Sequence, residues 1–216
     1  MKVRTVTAGA ESVTLREKDG RVDVVLNGVV LLSSASLGTE LAFGALAAGA
    51  RRVLVGGLGF GATLRGVLAT PGVDHIVVAE KSLAILALAR GDLAHLQQGA
   101  LDDPRVTLFQ GDVLDAYPQG FDAILLDVDN GPGWASHRTN ARLYAPAGLA
   151  AARAALSPGG LLAVWSGYPD DAFIPRLRAA GFSPSLQPLL ENNQVRARAY
   201  LGRTPADPRP DPPENT

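Results

Sequence analysis

Asp127 and Asp129 stand at the end of the apolar run Ala123-Ile124-Leu125-Leu126, and Asn130-Gly131-Pro132-Gly133 then turns the chain away. Two carboxylates in such close succession can bind a cationic amine, and one of them can take a proton from it. A protonated amine has no lone pair, so an acceptor held beside it is what an amine nucleophile requires. The alternative is a turn in which Asp and Asn only satisfy backbone N–H groups. A second set of residues suits a different partner. Val53-Leu54-Val55 runs into Gly56-Gly57-Leu58-Gly59-Phe60-Gly61, and helical spacing follows from Ala62. Strand, glycine turn and helix start together offer free backbone N–H groups to an electron-rich ligand, with Gly57, Gly59 and Gly61 allowing its approach. Glu80 ends the next apolar run, roughly twenty residues on, where an acid can accept hydrogen bonds from ribose hydroxyls. Asp112, after Gln110-Gly111, can accept from an adenine amino group or cap the short helix 113–117, and the two roles are compatible.

These residues need a frame to bring them together. From residue 51 the chain alternates strand and helix, the pattern of a parallel sheet with crossover helices. Strands are predicted at 52–56, 75–80, 105–109, 121–127 and 160–166, and helices near 61–70, 82–98, 146–156 and 170–180. In such α/β sheets ligands sit beyond the carboxyl ends of the strands, where the glycine turn, Glu80, Asp112 and the Asp127 loop all fall. Segments 182–190 and 195–202 read as a closing antiparallel pair. Ahead of the Rossmann-like nucleoside-binding domain (37–202), residues 1–36 read as a small antiparallel β meander with strands at Ser12–Arg16, Val22–Leu26 and Val29–Leu32. Leu37 to Ala48 has helical spacing, and its Glu40 points either to solvent or over the glycine turn. From Arg203 the chain is rich in Pro, Asp and Arg, so 203–216 is expected to be a disordered tail.

Composition narrows the chemistry. The 216 residues carry a formal net charge of −1, which gives no reason to expect nucleic acid or an anionic membrane as partner. With no cysteine, disulfides, thiolate metal sites and cysteine nucleophiles are excluded. The three histidines lie far apart without metal-ligand spacing, so no metal is expected. No apolar run reaches membrane-spanning length and the N-terminus lacks a signal pattern, which makes the cytoplasm the expected location.

The ordered segments Val-Leu-Val-Gly-Gly-Leu-Gly-Phe-Gly-Ala-Thr-Leu-Arg, Val-Ala-Glu, Gly-Asp, Asp-Val-Asp-Asn-Gly-Pro, Asn-Ala-Arg-Leu-Tyr and Leu-Ser-Pro-Gly-Gly resemble the spermidine synthase family. These are polyamine aminopropyltransferases on the class I methyltransferase fold, and the closer likeness is to short bacterial spermidine-synthase-like proteins. The resemblance covers roughly residues 22–167. It implies that Gly57, Gly59 and Glu80 hold the nucleoside of decarboxylated S-adenosylmethionine, that Asp112 lies near the adenine, and that Asp127 matches the first acid of the family's Asp-rich loop. The family's second acid acts on the attacking amine. The loop here is shorter, so that role falls on Asp129 or is lost at Asn130. The family's acid-aromatic segment is replaced by Ser33–Glu40, where only Glu40 keeps an acid. Trp134, His137, Asn140 and Tyr144 are candidates to line the acceptor pocket.

The resulting expectation is a transferase that binds decarboxylated S-adenosylmethionine, or S-adenosylmethionine, and transfers an aminopropyl or methyl group to a small amine. Family members are commonly dimers or larger, so a homodimer is also expected. Three alternatives compete: a methyltransferase with another acceptor, a non-catalytic nucleoside-binding module, and an NAD-dependent oxidoreductase, whose fingerprint Gly57-x-Gly59-x-x-Ala62 with Glu80 satisfies formally.

Overall fold

A computed structural model describes residues 1–26, 28–35, 37–128, 131–134 and 140–206. The chain opens with a four-stranded antiparallel sheet of β1 (Lys2–Ala8), β2 (Glu11–Lys18), β3 (Arg21–Leu26) and β4 (Val29–Ser33), paired in chain order. The meander therefore has one strand more than the sequence pattern suggests. β1 is an edge strand, exposed along most of its length, and carries none of the apolar alternation that a half-buried strand needs.

The main sheet has seven strands in the order β10-β11-β9-β8-β5-β6-β7. They are β5 (Arg52–Gly56), β6 (His75–Glu80), β7 (Val106–Gln110), β8 (Phe121–Leu126), β9 (Leu156–Ser166), β10 (Ser183–Glu191) and β11 (Gln194–Arg203). β5 to β9 run parallel, and β11 pairs antiparallel with both β9 and β10. This is the Rossmann-like class I methyltransferase arrangement. Strand residues alternate between two cores. Val53 and Val55 face one with Val78 and Leu125, while Leu54 faces the other with Val77 and Ile124. Val13, Leu15 and Val24 of the meander belong to the first core, so the small sheet shares its apolar interior with the large one. The sheets are also pinned by Glu11, whose carboxylate accepts from Ser82 Oγ (2.8 Å) and Ala84 N–H (3.1 Å) at the start of α3 (Leu83–Arg90).

The single helix expected over 82–98 is broken. α3 stops at Arg90, Gly91 leaves helical geometry, and α4 (Ala94–Gln97) follows as a separate short helix. Glycine costs about 1 kcal/mol in a helix interior, so a break there is cheap. The break brings buried Gln97 against the glycine turn, where its Nε2 donates to Gly59 O at 3.3 Å.

α1 (Gly38–Gly44) crosses α2 (Ala62–Leu68) in backbone contact. A Cβ at Gly44 would lie 2.2 Å from Thr63 O, and one at Gly66 would lie 2.3 Å from Leu41 O. No other residue type permits that approach, and it decides where Glu40 goes.

β10 is the outer strand of the large sheet and carries Pro184 and Pro188. It joins β11 through Asn192 and Asn193, both at positive φ, the geometry of a two-residue hairpin turn. Order continues past the expected end of the domain. β11 runs through Arg203, Thr204 N–H donates to Gly160 O (3.0 Å), and Gly159 N–H donates to Pro205 O (2.9 Å). The tail expected from Arg203 is thus ordered through Pro205, and residues 207–216 lie outside the described residues. Among the described residues no helix is long and apolar enough to cross a membrane.

Candidate active site

A cavity of about 400 Å³ opens beyond the carboxyl ends of β5, β6, β7 and β8. That is within the range of small-molecule sites. On one side lies the turn after β5. Gly57 has φ +90 and its N–H donates to Ala79 O at 2.8 Å, while a Cβ there would sit 2.2 Å from Asp127 O. Glycine at 57 therefore lets the β5 and β8 tips meet. Glu80 is buried at the tip of β6, and its two carboxyl oxygens accept from Leu58 N–H (3.0 Å) and Ser82 N–H (2.8 Å). Burial raises its pKa despite these donors. The oxygens keep further lone pairs for a hydroxyl donor.

Asp112 lines the cavity at the tip of β7. It caps α5 (Val113–Ala116) by accepting from Leu114 N–H at 3.1 Å, and it pairs with Arg142 at 2.6 Å. Arg142 comes from the 140–144 segment after β8, which has a second anchor where Lys81 Nζ donates to Asn140 Oδ1. The segment thus crosses to the β6 and β7 tips.

The opposite wall is acidic. Asp127, directly after β8, opens onto the cavity, and its Oδ2 accepts from Thr63 Oγ1 at 2.6 Å. Burial first, and the neighbouring Glu40 carboxylate second, push its pKa up to about 7. Glu40 is raised too, mainly by burial, although Thr39 Oγ1 donates to its Oε2 at 2.6 Å. Thr63 Oγ1 also lies 3.4 Å from Glu40 O, so one threonine of α2 links both acids. No cation is paired with either carboxyl among the described residues.

The cavity therefore gathers Gly57, Gly59, Glu80, Asp112, Asp127, Glu40 and Asn140. Two expected residues are not there. Gly61 faces Gln97, whose Oε1 would be 1.9 Å from a Cβ at that position, so its glycine serves the packing of α4 on the turn. Tyr144 is buried in the second core, edge-on to Phe173 with ring centroids 5.8 Å apart. An aromatic after a polar loop looks like a pocket residue until the helix following it, α6 (Pro146–Ala155), shows which side is interior. Asp129, Asn130 and His137, and the side chain of Trp134, lie outside the described residues. Among residues the sequence did not single out, Thr63, Lys81, Trp165 and Arg196 bear on the site. Thr63 sits in the first turn after the glycines and was legible by position. Trp165 and Arg196 belong to no motif.

Comparison with known proteins gives a consistent answer. A polyamine aminopropyltransferase of Mycobacterium tuberculosis is 36% identical over 156 residues, covering 67% of this chain. A polyamine aminopropyltransferase 2 of Pseudomonas aeruginosa is 36% identical over 121 residues, or 53% of this chain. The chain is a homologue of the polyamine aminopropyltransferases. Among solved structures, a spermidine synthase from Thermotoga maritima superposes with TM-score 0.75 at 19% identity, covering 96% of this chain and 74% of that one. A spermidine synthase crystallised with the transition state analogue AdoDATO gives TM-score 0.74 at 18% identity, with the same coverage. At these identities the superpositions establish the fold. No family model matches the sequence. This aminopropyltransferase homologue spans 29% of the length of the Mycobacterium relative and 33% of the Pseudomonas one.

Proposed function

We propose that the chain is a transferase that binds a sulfonium nucleoside, decarboxylated S-adenosylmethionine or S-adenosylmethionine, and passes an aminopropyl or methyl group to a small amine. One observation carries this reading. One cavity joins a nucleoside-facing side (glycine turn, Glu80, Asp112) to a wall of two half-buried carboxyls that have no paired cation among the described residues. The fit to a nucleoside is chemical. Glu80 has lone pairs left for ribose hydroxyls, and Asp112, paired with Arg142, is an acceptor for an exocyclic amino group.

When bound, the donor supplies a carbon next to S⁺ whose bond to sulfur breaks with its electron pair left on a neutral thioether. The chain's own task is alignment and proton control. Asp127 and Glu40 stabilise an ammonium when ionised, and Asp127, with its pKa near neutrality, suits the transfer of a proton from an amine. Asp129, two positions after Asp127 in the sequence, is proposed as the acceptor of the attacking amine's proton, and Asn130 and Trp134 as residues of the acceptor end. The wall of Thr63 and Thr39 holds the two acids in place.

Calorimetric titration with S-adenosylmethionine, its decarboxylated form, methylthioadenosine and NAD tests the reading. Binding of the three thio-nucleosides with a preference for one charged form is expected. NAD binding alone would overturn it. Asp129→Asn is expected to abolish turnover while leaving nucleoside affinity nearly intact; surviving turnover removes Asp129 from the scheme.

A further inference from the structure

Between Gly57 and Gly61 most backbone N–H groups are already engaged. Gly57 N–H donates to Ala79 O (2.8 Å), Leu58 N–H to Glu80 Oε2 (3.0 Å) and Gly61 N–H to Leu58 O (2.8 Å). The N–H groups of Gly59 and Phe60 have no acceptor among the described residues, and both residues line the cavity. Behind the turn stands Gln97. It is 2% exposed, lies off the cavity lining, and donates through Nε2 to Gly59 O at 3.3 Å. The carbonyl of Gly59 and the N–H of Phe60 belong to one planar trans peptide, so they point in opposite directions. A carbonyl held on the side away from the cavity therefore turns the Phe60 N–H toward it.

Gln97 gives the fold little else. Its Oε1 is buried without a hydrogen-bond partner and lies against Gly61, where a Cβ would be 1.9 Å away. A buried acceptor left unpaired costs a folded chain about what one neutral hydrogen bond returns. An apolar side chain of similar size fills the same space without that cost, so the distinctive effect of the amide is on the Gly59–Phe60 peptide. Resting on the sulfonium-nucleoside reading above, we propose that Gln97 is a positioning residue for the donor. It holds that peptide so that the Phe60 N–H is preset to donate to an electron-rich atom of the bound nucleoside, and it does so without touching the ligand. Glycine at 61 is the counterpart of this arrangement, because any side chain there would expel the Gln97 amide.

The test compares the full chain with Gln97→Met, which keeps the side chain's length and removes both polar atoms. Calorimetry with methylthioadenosine and with S-adenosylmethionine is run on both proteins, alongside urea unfolding and amide NMR of Phe60. Loss of one oriented neutral hydrogen bond corresponds to about three- to tenfold in affinity. Gln97→Met is expected to weaken at least one of these ligands by about that factor while leaving the urea midpoint unchanged. Residual dipolar couplings of the free proteins should show a changed Phe60 N–H orientation in the variant. In the wild type the Phe60 amide resonance should move on saturation with the affected ligand. Wild-type affinity of Gln97→Met for both ligands overturns the proposal. So does a Phe60 amide that stays in place in the wild type while those of Gly57 or Gly59 move, a result that decides the matter even if the variant does not fold. An affinity loss with a lowered midpoint and an unchanged Phe60 N–H orientation also overturns it, since general loosening then accounts for the loss. Should neither ligand bind the wild type, the nucleoside reading falls separately. The dipolar couplings then decide the positioning claim, which identical orientations in the two proteins refute.

Discussion

Replacing Asp127 with Asn tests the acidic wall directly. The carboxyl is held at a pKa of about 7 against an ordinary value of 3.8, through burial and the Glu40 charge. Its folded-state pKa is raised, so the native state keeps a proton that the unfolded chain releases. Stability is then greatest below the unfolded value and falls as pH rises toward the folded one. Each pH unit in that window removes about 1.4 kcal/mol, and the whole window about 4 kcal/mol at most. Asn keeps an oxygen to accept from Thr63 and cannot ionise. Urea unfolding of both proteins between pH 4.5 and 6.5 should show the difference in their stabilities growing by about 2.5 kcal/mol in favour of the variant, then levelling off above pH 7.5. Other titrating groups cancel in the difference, and the repulsion from Glu40 is already contained in the Asp127 shift. Parallel stability curves across that range would refute the claim that Asp127 is buried as an uncompensated acid.

Three further outcomes are expected. Gly57→Ala, which drives a Cβ into the β8 backbone at positive φ, should cost more than 3 kcal/mol in denaturant unfolding, whereas Gly59→Ala, whose nearest contact is a Leu32 methyl at 3.4 Å, should cost about 1 kcal/mol. Gly66→Ala should push α1 off α2 and carry Glu40 away from Asp127, seen as a loss of about 2 kcal/mol or more together with a flatter pH dependence of stability than the wild type. Glu11→Ala removes two hydrogen bonds that tie the meander to α3 and should lower stability by about 1–2 kcal/mol, with earlier amide exchange in β1 and β2 than in β5.

The half of the cavity built from the glycine turn, Glu80 and Asp112 was legible because its residues are local. A strand, a glycine turn and an acid at the next strand's tip are fixed by spacing alone, and Glu80 and Asp112 lie where that spacing puts them. The other half depends on approach between distant elements. Glu40 reaches Asp127 only because Gly44 and Gly66 let two helices touch, and a pair of glycines in separate helices leaves no periodic signal. Arg196 arrives on β11, which runs antiparallel beside β9 and so brings its start, not its end, to the cavity. Gly91 falls inside the helix expected over 82–98, and one glycine in an otherwise helical pattern does not by itself signal the turn toward Gln97.

The prolines of β10 have a consequence for the molecule in a crowded solution. An outer strand normally exposes a row of amide donors that another chain can copy, the first step toward edge-to-edge growth. Pro184 and Pro188 remove two donors from the boundary of the large sheet, spaced two pleat repeats apart. A second molecule laid along β10 would find the ladder interrupted at both places. The sheet is thereby terminated chemically at its C-terminal margin, and self-templating there is blocked without any covering element.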